Sequence, residues 1–316
     1  MRRLPLCGAV LAGLASGCAS RPSGNPTIPL VRRGSDRARI PYAERAPDAK
    51  VALLARINAD RTAAGVPAVA YDLVAAKAAD AFCQDAALAR VMGHWDLAGR
   101  APYDRFADAG GVDWSGENFS GSSRIGATFS EAELTGLLLE AHGRMMAERP
   151  PDDGHRRNVL DPDWTHVGIG VALEGGEFRM TEEFTRHVAE WVELPRQRVR
   201  AGGTAPVAVQ LPKGWNLATV EIAHERFPRP LSAGEIARRR SYAFPAASQK
   251  ILPILPSAFR YADGSRGEAA VRNGLVRVDV PLDSGSGSYW VLVYAAPGPV
   301  EGRTLSPLTA VRVTAD

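Results

Sequence analysis

Apolar periodicity in this chain changes character once, near Pro195, and that change limits the folds open to it. Before it, apolar residues recur at helical spacing over several long segments. After it, helical patterning nearly vanishes, and short β-like runs at 207–211, 218–223, 275–280, 289–294 and 310–313 are separated by Pro and Gly turns. The expected fold class is therefore α+β, with a mixed unit at 48–194 followed by a smaller all-β, sandwich-like domain of roughly a hundred residues at 200–316. A length of 316 residues and a hydrophobic content of 45% suit about two domains with sizeable cores.

Within the first unit the elements can be placed in order. Asp48 stands where it would cap a helix whose apolar face is Val51, Leu53, Leu54, Ile57 and Ala64, closed by Gly65. Asp72 would cap a second helix running to about Met92, and Gly93 stops it. Pro102 to Phe106 reads as one or two helical turns, and the Ser- and Gly-rich residues 120–130 as a surface loop. Ser130 and Glu133 have the spacing of a capping box before a third long helix to about Glu148, with Leu134, Leu137, Leu138, Ala141 and Met145 on its apolar face. A short helix over 152–160 carries His155. Val167, Ile169 and Val171 alternate as a strand, 174–177 turn, and a partner strand returns from Phe178 to about Val192.

Three polar signatures interrupt this apolar pattern: Gly93-His94-Trp95-Asp96, Gly116-Glu117-Asn118-Phe119 and Gly154-His155-Arg156-Arg157-Asn158. Each begins with a glycine that would let the backbone turn tightly. Together they deliver two imidazoles and a carboxylate from three separated segments. Gathered in one cleft, these groups would hold a divalent cation or pass protons near neutral pH.

Composition narrows the partners. A formal charge of +3, with no lysine-rich stripe, gives no basis for nucleic-acid binding. The three cysteines are Cys7, Cys18 and Cys83. Met1-Arg2-Arg3 followed by the apolar stretch 4–15 reads as a targeting segment too short to remain as a spanning anchor. Leu14-Ala15-Ser16-Gly17-Cys18 resembles a bacterial lipobox, with Ala15 where leucine is preferred, so residues 1–18 are expected to be a lipoprotein signal with Cys18 acylated. A secretory signal cut near Ala19 is the alternative. Residues 19–47, rich in Pro and Arg, are expected to form a tether. Only Cys83 then remains. No intrachain disulfide is possible, and Cys83, inside an Ala-rich helix, is expected to be a small buried hydrophobe rather than a nucleophile.

The motifs come in an order that resembles one family. Leu54-Ala55-Arg56-Ile57-Asn58 through Arg61, the His94 stretch with Gly99, Pro102 and Arg105, Gly116-Glu117-Asn118, His155-Arg156-Arg157-Asn158-Val159-Leu160 and Val167-Gly168-Ile169-Gly170-Val171 are similar, over residues 50–187, to the CAP superfamily. That superfamily includes cysteine-rich secretory proteins, venom antigens and plant pathogenesis-related proteins, also called SCP domains. The resemblance implies a three-layer α-β-α sandwich around a mainly antiparallel sheet. It also implies a central cleft with a His/Glu tetrad. His94, Glu117 and His155 match tetrad positions directly. Glu148, in Met145-Met146-Ala147-Glu148, is the nearest match to the fourth, with methionine replacing the family's aromatic residue, and Glu140 is a weaker candidate.

On this reading His94 and His155 are the expected metal ligands, with Glu117 as a third ligand or as an acceptor orienting a ring, and zinc as one fitting ion. Asn118 is expected to tie loop backbone, and one of Arg156 and Arg157 to clamp a carboxylate or face solvent. His142 is expected to face solvent, His166 and His187 to be structural, and His224 to lie on the surface of the second domain. There is no His-Glu-x-x-His helix and no Gly-x-Ser-x-Gly elbow, and Ser115 alone is not a triad. The expected function is an exported, envelope-bound binding protein taking an apolar, sterol-like or peptide ligand or an envelope partner, rather than an enzyme. The alternatives are a metal-dependent hydrolase of peptide or envelope material and a structural envelope protein with an inert tetrad.

Overall fold

The computed structural model describes residues 2–3, 46–195, 198–239 and 241–316. Apart from Arg2 and Arg3, the expected signal segment with Cys18 and the tether up to residue 45 lie outside the described residues. Helix α1 (Pro47–Ala63) begins one residue before Asp48, which therefore sits in the first turn rather than at the cap. Its carboxylate there favours the positive end of the helix dipole. Leu53, Leu54 and Ile57 of α1 pack with Leu138, Ala141 and Met145 of α4 (Leu134–Ala147). Both helices cover one face of a four-stranded sheet. Its strands are β1 (Ala70–Tyr71), β2 (Trp114–Ser123), β3 (His166–Glu174) and β4 (Glu177–Arg186), in the order β1-β3-β4-β2. Only the β1–β3 pairing is parallel.

Helix α2 (Leu73–Leu88) covers the other face, which completes the expected three layers. Asp72 caps it, accepting hydrogen bonds from the amides of Val74 (2.8 Å) and Ala75 (3.0 Å). The contact is backbone to backbone. A Cβ on Gly168 would fall 2.2 Å from the Ala76 nitrogen, and one on Gly170 would fall 2.3 Å from the Ala79 carbonyl carbon. The alternation Val-Gly-Ile-Gly-Val thus sends its apolar side chains toward α1 and α4 and leaves room for an alanine-lined helix behind. Gly170→Ala should push α2 off the sheet and cost about 1–3 kcal/mol, read by urea denaturation.

The return strand is shorter than expected. It ends at Arg186, and β5 (Glu190–Glu193) pairs instead with β6 (Thr204–Gln210). Apolar burial explains the break. Val188, Ala189 and Trp191 pack into a second core, and the Trp191 indole N–H donates to the Val112 carbonyl at 2.9 Å. That core lies between two four-stranded antiparallel sheets. One has the order β9 (Ala270–Arg272), β10 (Leu275–Pro281), β6, β5. The other has the order β12 (Thr309–Ala315), β11 (Gly287–Pro297), β7 (Trp215–Glu225), β8 (Gln249–Ile251). Inward positions alternate, as in Val207 and Val209, Val276, Val278 and Val280, and Val291 and Val293.

The outer face of the second sheet is apolar as well. Trp290, Leu292 and Ala310 would be wet in an isolated sandwich. Here they pack with Ala101, Tyr103 and Ala107 at helix α3 (Pro102–Asp108) of the first domain. The two units share this apolar contact.

Candidate functional site

The edge strand β2 sits between the two tetrad histidines, and its alternation decides which residue serves which. Glu117 and Asn118 point to opposite faces of the sheet. Gly116 lies mid-strand, not in a turn. A Cβ there would meet the Trp164 ring at 2.7 Å and Asn158 Oδ1 at 2.8 Å, so glycine supplies space. Of the three signature glycines only Gly93 has positive φ, at 143°, and it turns the chain out of the α2 segment into the His94 loop.

On the α2 side, His94 Nδ1 lies 2.8 Å from Glu117 Oε1. Arg105 of α3 holds both partners. Its Nη2 donates to Glu117 Oε2 at 2.5 Å, its Nη1 donates to the His94 carbonyl at 2.7 Å, and its guanidinium lies 3.5 Å over the Phe82 ring. All three polar residues are buried. Such a buried pair is held because each charge is fully hydrogen-bonded. As expected of one of Arg156 and Arg157, Arg157 pairs with a carboxylate, that of Asp153 at 3.0 Å, while Arg105 supplies the clamp on Glu117.

On the other side, helix α5 (Gly154–Val159) presents His155. Its Nδ1 lies 2.5 Å from Glu148 Oε1, and Glu148 Oε2 accepts the His155 and Arg156 amides at 3.0 and 3.4 Å. Glu148 thus pairs with the second histidine, the place the resemblance gives the fourth tetrad residue, while Glu140 is exposed and paired with Arg144. The two imidazole centroids are 6.4 Å apart, with planes inclined by 31°. Access is asymmetric. The His94 side chain is 6% exposed and that of His155 30%, so His155 is the more accessible ring.

Asn118 ties the far side together. Its amide donates to the His155 carbonyl (3.2 Å) and to Glu182 Oε2 (3.1 Å), and its oxygen accepts from Asn158 (3.0 Å). Asn158 in turn accepts from the Trp164 indole at 3.1 Å. Arg61, fully buried, donates to the carbonyls of Val159 and Asp161 and so fixes the end of α5.

His142 does not face solvent. It is fully buried, with Nδ1 2.7 Å from Glu182 Oε1 and Nε2 3.0 Å from Asp60 Oδ2. Its environment in the α1–α4 layer is a pair of acids, which the helical pattern of α4 alone did not reveal. Burial opposes its protonation, but the two carboxylates outweigh burial and raise its pKa.

Behind Glu117 lies a further acid missed in the sequence. Glu183 of β4 stands directly opposite Glu117 in the sheet and is buried, with its Oε1 lacking any hydrogen-bond partner among the described residues. Burial and then the Glu117 charge push its carboxyl up to about 8, against a hydrogen bond from Ser115. Strand alternation puts both acids on one face, a signal that was available once β2 and β4 were paired.

His187 and His166 form a separate pair at the domain junction. Their centroids are 5.5 Å apart, and His187 Nδ1 contacts Asp113 Oδ2 at 2.8 Å. His224 packs on Tyr289 in the second domain. Cys83 is buried as expected, 3.3 Å from Thr181 Oγ1, and burial pushes its thiol up to about 12. Ser115 is fully buried. Neither is a reachable nucleophile.

The donor set can be tested against a metal. Both Glu117 oxygens are engaged by His94 and Arg105, so Glu117 orients a ring rather than ligating. Among the described residues no three His, Cys, Asp or Glu side chains form a metal cage. What remains is a pair of imidazoles, each with Nδ1 turned to a carboxylate, so that Nε2 is the nitrogen that would meet an ion or a proton; with centroids 6.4 Å apart the rings would have to close by about 1 Å to share a tetrahedral ion.

With this geometry in view, comparison with known proteins identifies the first domain. Residues 54–184 match the model of the CAP cysteine-rich secretory protein family, and that segment is a CAP domain. Among solved structures, an extracellular protein containing an SCP domain from Bacillus anthracis str. Ames matches with 22% identity and a TM-score of 0.31. The match covers 42% of this chain and 39% of the Bacillus chain, so it spans about two-fifths of that protein's length. No curated protein matches the sequence.

Proposed function

We propose that this is an exported CAP-domain binding protein whose His94–His155 pair holds a divalent metal, such as zinc, completed by a ligand entering past His155. The observation that carries the reading is the pair of imidazoles 6.4 Å apart, each with its Nδ1 on its own carboxylate. Carboxylate contact at Nδ1 fixes the ring tautomer and raises the basicity of the opposite nitrogen, as in many metal-bound histidines. A bound ion would act as a Lewis acid toward an oxygen or anionic group of the ligand. The chain's own residues hold the rings, and Arg105 neutralises the buried Glu117 charge.

Binding is favoured over covalent catalysis because neither Ser115 nor Cys83 can reach a substrate. The N-terminal segment supports export, and acylation of Cys18 would anchor the chain in a membrane. The proposed ligand classes are a peptide or an envelope component with a donor atom for the metal, and an apolar or sterol-like body would have to fit beside it.

Calorimetric titration of the full chain with zinc and copper tests the proposal. Native protein should bind one ion. His94→Ala and His155→Ala should each weaken binding at least tenfold while keeping the native circular dichroism spectrum. Equal affinity in all three proteins would remove the metal reading. Peptide turnover lost in both variants would establish the hydrolase alternative instead.

A further inference from the structure

The second domain reaches into the tetrad. Between β7 and β8, residues 226–239 and 241–248 leave the sandwich and cross the loop that carries His94. The Leu231 amide donates to the Leu97 carbonyl at 2.9 Å, and the Trp95 indole donates to the Ser241 carbonyl at 3.3 Å. Arg239 stacks 4.5 Å over Trp95. Leu231 and Ile236 join Phe82, Ala86, Val91 and Phe119 of the first domain in one apolar cluster. Gly99 has φ of 79°, and a Cβ there would fall 1.9 Å from the Arg229 carbonyl oxygen, so the crossing segment and the loop touch backbone to backbone.

Tyr242 ends this crossing at the site. Its hydroxyl accepts the Glu117 amide hydrogen at 2.8 Å, and its ring meets that of His94 edge-on, with centroids 5.0 Å apart. It is 3% exposed. The sheet explains why a partner is needed there. β2 is an edge strand, and its outward amides find no neighbouring strand. A buried amide at that edge must be met by some other acceptor.

We infer that Tyr242 is a fifth residue of the His94–Glu117–Glu148–His155 site, a positioning residue lent by the second domain. It fixes the Glu117 backbone and the plane of the His94 ring. It also walls the His94 side, so that ligands meet the histidine pair past His155. The metal-free half of this inference stands on geometry alone, and its metal-binding half rests on the function proposed above.

Full-chain Tyr242→Phe and Tyr242→Ala test it with two metal-free readouts: hydrogen exchange of the Glu117 amide and ring ¹⁵N shifts of His94. The phenylalanine variant should speed Glu117 exchange about tenfold, keep the native His94 shifts and bind zinc within about threefold of the native affinity. The alanine variant should also move the His94 shifts toward an averaged tautomer and weaken zinc at least tenfold. Unchanged Glu117 exchange in the phenylalanine variant, or unchanged His94 shifts in the alanine variant, would overturn the inference. If the alanine variant does not fold, Glu117 exchange in the phenylalanine variant decides alone. Native protein that takes up no zinc would sink the metal reading, while the two metal-free readouts would still decide the role of Tyr242.

Discussion

A Glu183→Gln variant should melt about 10 °C above the native chain at pH 8 and within about two degrees of it at pH 4.5. The reason is a buried carboxyl that its neighbours do not compensate. Glu183 sits opposite Glu117 with Oε1 unsatisfied, and its pKa is pushed from 4.5 up to about 8. The sign follows from linkage. Below pH 4.5 the folded and unfolded chains both carry the proton. Between 4.5 and about 8 only the unfolded chain releases it, so native stability falls across that window. At 1.36 kcal/mol per unit the loss approaches an upper bound of about 5 kcal/mol at pH 8. Glutamine keeps the shape and the Ser115 contact but has no proton to lose. Thermal midpoints at the two pH values check this. Equal midpoints for the two proteins at pH 8 would mean that Glu183 is ionised and solvated in the native state.

This acid marks where reading the sequence stopped. Periodicity placed α1, α2, α4 and β3 within a few residues, while the second sheet core already begins at Val188, ahead of the change of pattern at Pro195. Those features are local: caps, 3.6-residue apolar stripes and alternation all act within a few turns. Three glycine-led motifs marked three of the four tetrad residues, and the family resemblance supplied Glu148. The rest of the site depends on pairings between distant segments. Glu183 becomes a neighbour of Glu117 only through the β2–β4 register. Arg105 becomes the clamp only when α3 packs behind Phe82. Tyr242, 125 positions from Glu117, arrives from the other domain and follows no motif. The same limit misplaced residues 190–193, whose alternation fits either sheet. Only the packing of Val188 and Trp191 decided between them.

His142→Ala should cost about 3–5 kcal/mol at pH 7, the penalty expected when one member of a buried charged cluster is removed and its partners stay. His142 bridges Glu182, itself fully buried, and Asp60, which also pairs with Arg56 at 2.6 Å. Without the imidazole, the Asn118 amide is the side-chain donor left to Glu182 among the described residues, and a carboxylate with one neutral donor is poorly solvated inside a core. Glu182→Gln in the same background removes the stranded charge. The double variant should therefore be more stable than the sum of the two single losses predicts, by about 1–3 kcal/mol in a double-mutant cycle from urea denaturation. The pH dependence has a fixed sign as well. A histidine whose pKa is raised on folding contributes stability that is complete below 6.5 and fades as pH climbs through its folded value. His142 and Glu183 thus push the same way, and the native chain should be more stable near pH 5 than near pH 8. Deleting the imidazole should remove its share of that slope. A loss below about 1 kcal/mol, with the slope intact, would show that water or a rearranged Arg56 already solvates Glu182. The link from the α1–α4 layer through Asn118 to His155 would then be a packing contact rather than an electrostatic one.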